Sequence, residues 1–173
     1  GKNAERREAL RLLPVPHDLG MPVLVISYRN DEGVAPDPSG LHRYGTTEWP
    51  DLEAAVEYAL ANGAQSVVLA GYSMGAGIVL SFMQHSSLAP DVEALVLDAP
   101  MISFSASVEF QAKNRGLWPI LTSVGKKFAE WRYDVDWGAL APPLVRETTV
   151  LIDNGFQLED VSYRNDVRDL NNW

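Results

Sequence analysis

One junction constrains this chain more than any other feature. The run Ser66-Val67-Val68-Leu69-Ala70 leads into Gly71-Tyr72-Ser73-Met74-Gly75, and Ala76 to His85 follows with Ile78, Val79, Phe82 and Met83 apolar. A short continuous apolar run predicts a strand buried on both faces, as in parallel sheets. The spacing behind it predicts a helix over 76–85. A strand that passes into a helix through so few residues holds its serine in a strained backbone conformation. Glycines at 71 and 75 are expected there because a side chain would strike the neighbouring strand or helix. The Ser73 hydroxyl then projects beyond the sheet edge. The Met74 N–H points into the same space from a helix N-terminus, where it can stabilise an oxyanion. Strand, G-x-S-x-G and helix together make the context of a nucleophile elbow.

The rest of the chain supplies a matching rhythm. Asn3 can cap a helix over 4–13 that Pro14 ends. Pro22-Val23-Leu24-Val25-Ile26-Ser27-Tyr28 reads as a further buried strand, and 29–45, rich in Gly, Pro, Asp and Asn, as a long loop. Pro50 to Asn62 is a helix with Leu52, Ala55, Val56, Ala59 and Leu60 on one face, stopped at Asn62-Gly63. Ala94-Leu95-Val96-Leu97 and Thr148-Thr149-Val150-Leu151-Ile152 read as strands. Ser162 can cap a last helix carrying Tyr163, Val167 and Leu170. Strands alternating with helices imply a single α/β domain over 1–173, a three-layer α/β/α sandwich with a mainly parallel sheet. Residues 101–147 break the rhythm. They hold helical stretches and the aromatics Phe104, Phe110, Trp118, Phe128, Trp131, Tyr133 and Trp137, and read as a lid-like insertion or as extra helices on the sheet.

Composition removes several function classes. The chain of 173 residues can hold one domain with a hydrophobic core. Cysteine is absent, which excludes disulfides, thiolate catalysis and Cys-ligated zinc. No His/Asp/Glu pattern suggests a metal site, and no cofactor is implied. A net charge of −9 repels phosphate backbones, so no nucleic-acid partner is expected. No apolar run reaches the length of a membrane span, and no secretory leader is visible, so the expected compartment is the cytoplasm.

A second chemistry competes for the same residues. Gly71, Gly75 and Gly77 have the spacing of a glycine-rich dinucleotide loop, with Asp98 at the distance of a ribose ligand. That fingerprint normally follows the first strand, whereas a strand–helix unit is expected ahead of this one. There is also no Tyr-x-x-x-Lys pair in the chain.

Beyond the elbow, the chain resembles a group of bacterial-type α/β-hydrolase-fold proteins, loosely serine esterases or acyl hydrolases. Val23 to Asn30 is similar to that family's "LLISYRN" strand and loop. Thr47-Glu48-Trp49 with Asp51 to Val56 is similar to its "TEW…DLEAAV" helix start, and Leu95 to Pro100 to "LVLDSP". The resemblance runs almost end to end and implies an acyl-enzyme at Ser73 on an ester, thioester or amide, with Met74 N–H in the oxyanion hole. Gly1-Lys2-Asn3-Ala4 aligns with the family's oxyanion loop, which implies Lys2 N–H as the second donor, although Asn3 stands where that loop has glycine.

The remaining catalytic partners are harder to place. The family orders them serine, acid, histidine. Leu158 falls where the acid belongs, with Glu159 and Asp160 beside it. Asp98 is a second candidate, with a turn or cap role as its alternative. Only His17, His42 and His85 exist. His85 lies at the far end of the helix that Ser73 opens, about 18 Å away at 1.5 Å per residue. A base must come within about 3 Å. His17 reads as a loop residue and His42 as a substrate contact at most. The expectation is therefore an incomplete or degenerate hydrolase, lacking the first strands and the last strand with its histidine, and inactive or nearly so. The other reading is a non-catalytic hydrolase-fold protein that binds a small molecule or partner.

Overall fold

The structure, a computed structural model, describes residues 6–38, 40–98, 100, 104–133, 135, 137, 149–153 and 158–162, the last two spans by their backbone. The chain opens with a 3₁₀ helix, Arg6–Leu12, and a short α-helix, α1, Pro14–Asp18. The helix expected to stop at Pro14 does stop ahead of it, at Leu12, as a 3₁₀ rather than an α-helix, and Pro14 then begins a second helix. Its fixed φ and missing N–H suit a first helical turn.

The expected strand over 22–28 does not form. Those residues take no part in the sheet, and Val23 and Leu24 are about half exposed, at 48% and 52%. An apolar run specifies burial, but a strand also needs a neighbouring backbone to bond with. Here the donors at the end of the run go to side chains. Tyr28 N–H is given to Asp31 at 3.2 Å and Arg29 N–H to Asp51 at 2.8 Å. Only Tyr28 is buried, against Met74 and Ile78.

The next unit follows the sequence closely. Helix α2 spans Trp49–Ala61, strand β1 Val67–Tyr72, helix α3 Met74–His85 and strand β2 Val92–Asp98. Helix α3 starts two residues earlier than its apolar spacing suggests, so it abuts Ser73 directly. Strand β1 pairs in parallel with β2, and β2 in parallel with β3, Thr149–Asp153. Strand β4, Leu158–Ser162, closes the order β1-β2-β3-β4 and runs antiparallel to β3. Leu158, Glu159 and Asp160 were expected in a loop carrying the acid. They lie instead in β4, opposite Asp153, Ile152 and Leu151.

The core sits between α2, α3 and one face of β1 and β2. Val56, Leu69, Ala76, Val79, Phe82, Val92, Leu95 and Leu97 form it, with Phe82 and Leu95 fully buried. On the other face of β1, Val68 and Ala70 stay exposed. The molecule is thus α/β with a mainly parallel sheet, and among the described residues helices α2 and α3 pack at one sheet face. Helices α4, Phe104–Asn114, and α5, Pro119–Tyr133, make a hairpin from the aromatic-rich segment. Gly116 at φ 72° and the Leu117 N–H to Ala112 bond of 2.9 Å end α4 in a left-handed cap. Among the described residues, no helix is long and apolar enough to cross a membrane.

Candidate active site

Ser73 occupies the single residue between β1 and α3, at φ 50° and ψ −112°. Only two other non-glycine residues, Asn30 and Tyr44, have positive φ among the described residues. Such a conformation costs on the order of 1–3 kcal/mol and persists only where the surroundings impose it. Three contacts impose it here. Ser73 N–H donates to Asp98 C=O at 2.9 Å, carrying the β1–β2 pairing one residue past Tyr72. Ser73 C=O accepts from Ala76 N–H at 3.1 Å, closing the first turn of α3. Gly71 lets that turn approach: a Cβ there would lie 2.7 Å from the backbone of Ala76 and of Gly75.

Gly75 does not share that role. A Cβ built on it meets nothing within 4 Å, so the steric reason expected for the second glycine of the motif is not found among the described residues. The packing restraint on the other side comes from an unforeseen glycine. Gly45, at φ 109°, lies against Gly77 of α3, and a Cβ on Gly45 would stand 2.5 Å from Gly77 C=O.

Met74 is fully buried at the first position of α3, and its N–H donates to no described residue. A helix-start N–H beside a half-buried serine is the arrangement an oxyanion requires. Lys2, the expected second donor, lies outside the described residues, as does the expected helix after Ser162.

The parallel strands end together beside Ser73. Tyr72 is in register with Asp98, and Asp98 with Asp153. In open α/β sheets this carboxyl edge is where ligands bind. Asp98 is therefore at the right edge, but its carboxylate is engaged. Arg11 Nη2 donates to Asp98 Oδ2 at 2.8 Å, and the Arg11 guanidinium stacks 4.3 Å above the Tyr72 ring. Arg11 was not anticipated. It lies 87 residues from Asp98, and nothing in the pattern around it marks it. Asp153 lies one residue past the strand expected over 148–152; β3 includes it, and register brings it to this edge.

None of the histidines bonds to Ser73 among the described residues. His85 Nδ1 pairs with Ser81 C=O at 2.8 Å, and its ring stacks on Trp49 with centroids 5.6 Å apart. His17 lies exposed beside Asp18. His42 is the nearest by packing, since its ring meets Tyr28 edge-on at 6.2 Å, and Tyr28 packs on Met74. Its Nδ1 is buried without a hydrogen bond and stands 4.0 Å from Glu48 Oε1.

Glu48 is the other unforeseen residue. It is 0% exposed, and its carboxylate accepts Arg43 N–H at 2.6 Å and Gly45 N–H at 2.8 Å. That anchor holds the 43–48 turn against α3, behind the serine. Burial also pushes the Tyr28 phenol far above its usual range, with Asp31 and Glu48 adding to the effect. Tyr28 thus remains neutral in any functional pH range.

The glycine-rich-loop reading meets a geometric obstacle. β1 ends at Tyr72 and α3 starts at Met74, leaving one residue rather than a loop to wrap a pyrophosphate. Gly77 is buried inside α3 against Gly45, and Asp98, the would-be ribose ligand, is held by Arg11. The strand expected ahead of this unit is absent, so that earlier objection no longer applies, but the short turn replaces it.

Comparison of the chain with family models, with curated proteins and with solved structures gives no match in any of the three.

Proposed function

We propose that Ser73 is the nucleophile of a serine-hydrolase-type acyl site on an α/β-hydrolase-like three-layer fold, with α4 and α5 as its lid-like insertion. The observation that carries this reading is the strained Ser73 conformation in a one-residue turn between a parallel strand and a helix. The substrate class is a small ester, thioester or amide. Ser73 Oγ would add to the acyl carbon as the carbonyl π bond opens, and collapse of that tetrahedral intermediate would expel the leaving group, which takes a proton from solvent. The negative charge on the carbonyl oxygen would be held by Met74 N–H. The hydroxyl proton would pass to solvent, because no imidazole is in contact with Ser73 among the described residues. Turnover by the chain is accordingly slow, since general-base assistance contributes about 10²–10⁴-fold.

Labelling with a fluorophosphonate probe tests the assignment. Slow labelling that Ser73→Ala abolishes is the expected result, with ester turnover near background. Equal labelling of both proteins, or none of either over long incubation, would overturn it. The second outcome would favour a non-catalytic hydrolase-fold binding protein. The Arg11–Asp98 pair is the observation on that side, because it occupies the carboxylate of the residue whose backbone C=O accepts Ser73 N–H.

A further inference from the structure

Helix α5 is inside out. Its apolar side chains Ile120, Leu121, Val124, Phe128 and Trp131 fall within about 100° of arc at 3.6 residues per turn, the width of a core-facing stripe. Yet all five are exposed, Trp131 at 79%. The side that turns inward carries small and polar residues. Thr122, Lys126 and Ala129 are the partly buried positions of α5, and Lys126 Nζ bonds Ser105 Oγ and Glu109 Oε1 on α4, each at 2.6 Å. Trp118, at the hairpin tip, is 73% exposed.

Charge is arranged around this stripe. Lys127 and Arg132 lie about 20° beyond its two borders at 3.6 residues per turn, and both are exposed. Lys113 and Arg115 are exposed on the approach to the tip. The hairpin, residues 104–133, holds five basic side chains (Lys113, Arg115, Lys126, Lys127, Arg132) and two acidic (Glu109, Glu130), a net +3 in a chain whose total is −9. The remainder therefore carries −12, and the hairpin is a positive pole on an acidic protein.

From this we infer that the outer face of α5, with Trp118 at the tip, docks on an anionic phospholipid surface. An apolar arc bordered by basic residues lies in the plane of such a surface, with acyl chains below and the lysine and arginine heads among the phosphates. Indole rings favour that boundary. The outer side of a helix is convex and suits a flat surface better than a groove. The negative remainder is repelled by the same lipids, which orients the hairpin toward them. This inference stands apart from the chemistry at Ser73 and survives if that serine proves inert.

The test is co-sedimentation of the full chain with vesicles of equimolar phosphatidylglycerol and phosphatidylcholine, against phosphatidylcholine alone. Binding to the anionic vesicles only is expected, and its loss at about 1 M salt, where screening acts within about 3 Å. Lys127→Glu/Arg132→Glu should lower partitioning on the order of tenfold or more, each basic residue near such a surface being worth about 1 kcal/mol. Trp118→Glu/Trp131→Glu should abolish it. Both double variants change exposed positions, and an unchanged far-ultraviolet circular dichroism spectrum verifies that they fold. No sedimentation with anionic vesicles, equal sedimentation with phosphatidylcholine, or indifference to the charge reversal would each overturn the inference. So would a dimer in light scattering that Trp131→Glu splits, which would assign the face to a second copy of the chain.

Discussion

The β1–α3–β2 unit and the α4–α5 hairpin each contain a helix with a regular apolar stripe and put that stripe to opposite use. In α3, Ile78, Val79 and Phe82 are buried, and the helix packs on the sheet and on α2. In α5, Leu121, Val124 and Phe128 occupy an equally regular stripe and none is buried. Helical periodicity thus reports that a helix has an apolar side. It does not report what that side meets. The strand pattern taught the same lesson at 22–28, where an apolar run of strand type stands outside the sheet.

The sharpest way to break this contrast is a pair of truncations. Phe82→Ala opens a cavity at a fully buried site and should cost about 3–5 kcal/mol. Phe128→Ala removes an exposed ring and should stay within about 0.5 kcal/mol. Denaturant midpoints of the two variants decide it. A large cost at Phe128 would mean that the outer face of α5 is covered, and the two regions would no longer differ.

Two glycines of the motif offer a contrast within the buried unit itself. Gly71→Ala drives a methyl group to 2.7 Å from backbone atoms of Gly75 and Ala76, which cannot yield as a side-chain tip would. A loss of about 1–3 kcal/mol or more is expected, together with loss of any Ser73 labelling. Gly75→Ala places its methyl in open space within the first turn of α3. Alanine is the better helix former by about 0.5–1 kcal/mol, so this variant should be neutral or more stable. Equal losses at both would show that Gly75 is confined by residues beyond those described.

A smaller effect concerns how the apolar run at 22–28 is tied to α2. Arg29 meets Asp51 through Nε, Nη2 and its own backbone N–H, at 2.9, 2.8 and 2.8 Å. The side-chain bonds from Arg29 hold the Asp51 carboxyl below its usual range. A depressed folded-state pKa contributes stability above the unfolded value near 3.9, and that contribution is lost as pH falls through the folded value. Asp51→Asn should therefore cost about 1–3 kcal/mol at neutral pH. Stability curves of the two proteins should converge as the pH drops below about 4. Parallel curves across that range would show that the pair contributes nothing.

The sequence made the junction legible because every level agrees there. A β-branched run, a glycine that no side chain can replace and an apolar helix all specify one turn. The other members of the site were hidden for a physical reason. Arg11 and Asp98 meet across 87 residues, and Asp153 reaches the same edge through strand order. Neither follows from local periodicity. Glu48 looked like an ordinary residue ahead of a helix. It is buried where the 43–48 turn presses Gly45 against Gly77, and its two carboxylate oxygens accept the backbone donors of Arg43 and Gly45. The strand at 158–162 escaped notice because Leu158-Glu159-Asp160-Val161-Ser162 is mostly polar, and an antiparallel edge strand can be polar where a parallel core strand cannot.

The polar seam under α5 gives the last and smallest expected effect. Lys126 Nζ reaches Glu109 Oε1 at 2.6 Å, and that bond holds the Glu109 carboxyl below its usual range. The contribution is present above the unfolded value near 4.3 and fades as pH falls through the lower folded value. Glu109 is more than half exposed, so solvent screens the pair. Glu109→Gln should change stability by less than about 0.5 kcal/mol at neutral pH, and less again in high salt. A larger loss would show that the seam anchors the hairpin against the pull of its own apolar side. In that case the outward stripe of α5 would be held in place by α4, and exposure of Trp131 would be a consequence of that bond rather than of the stripe alone.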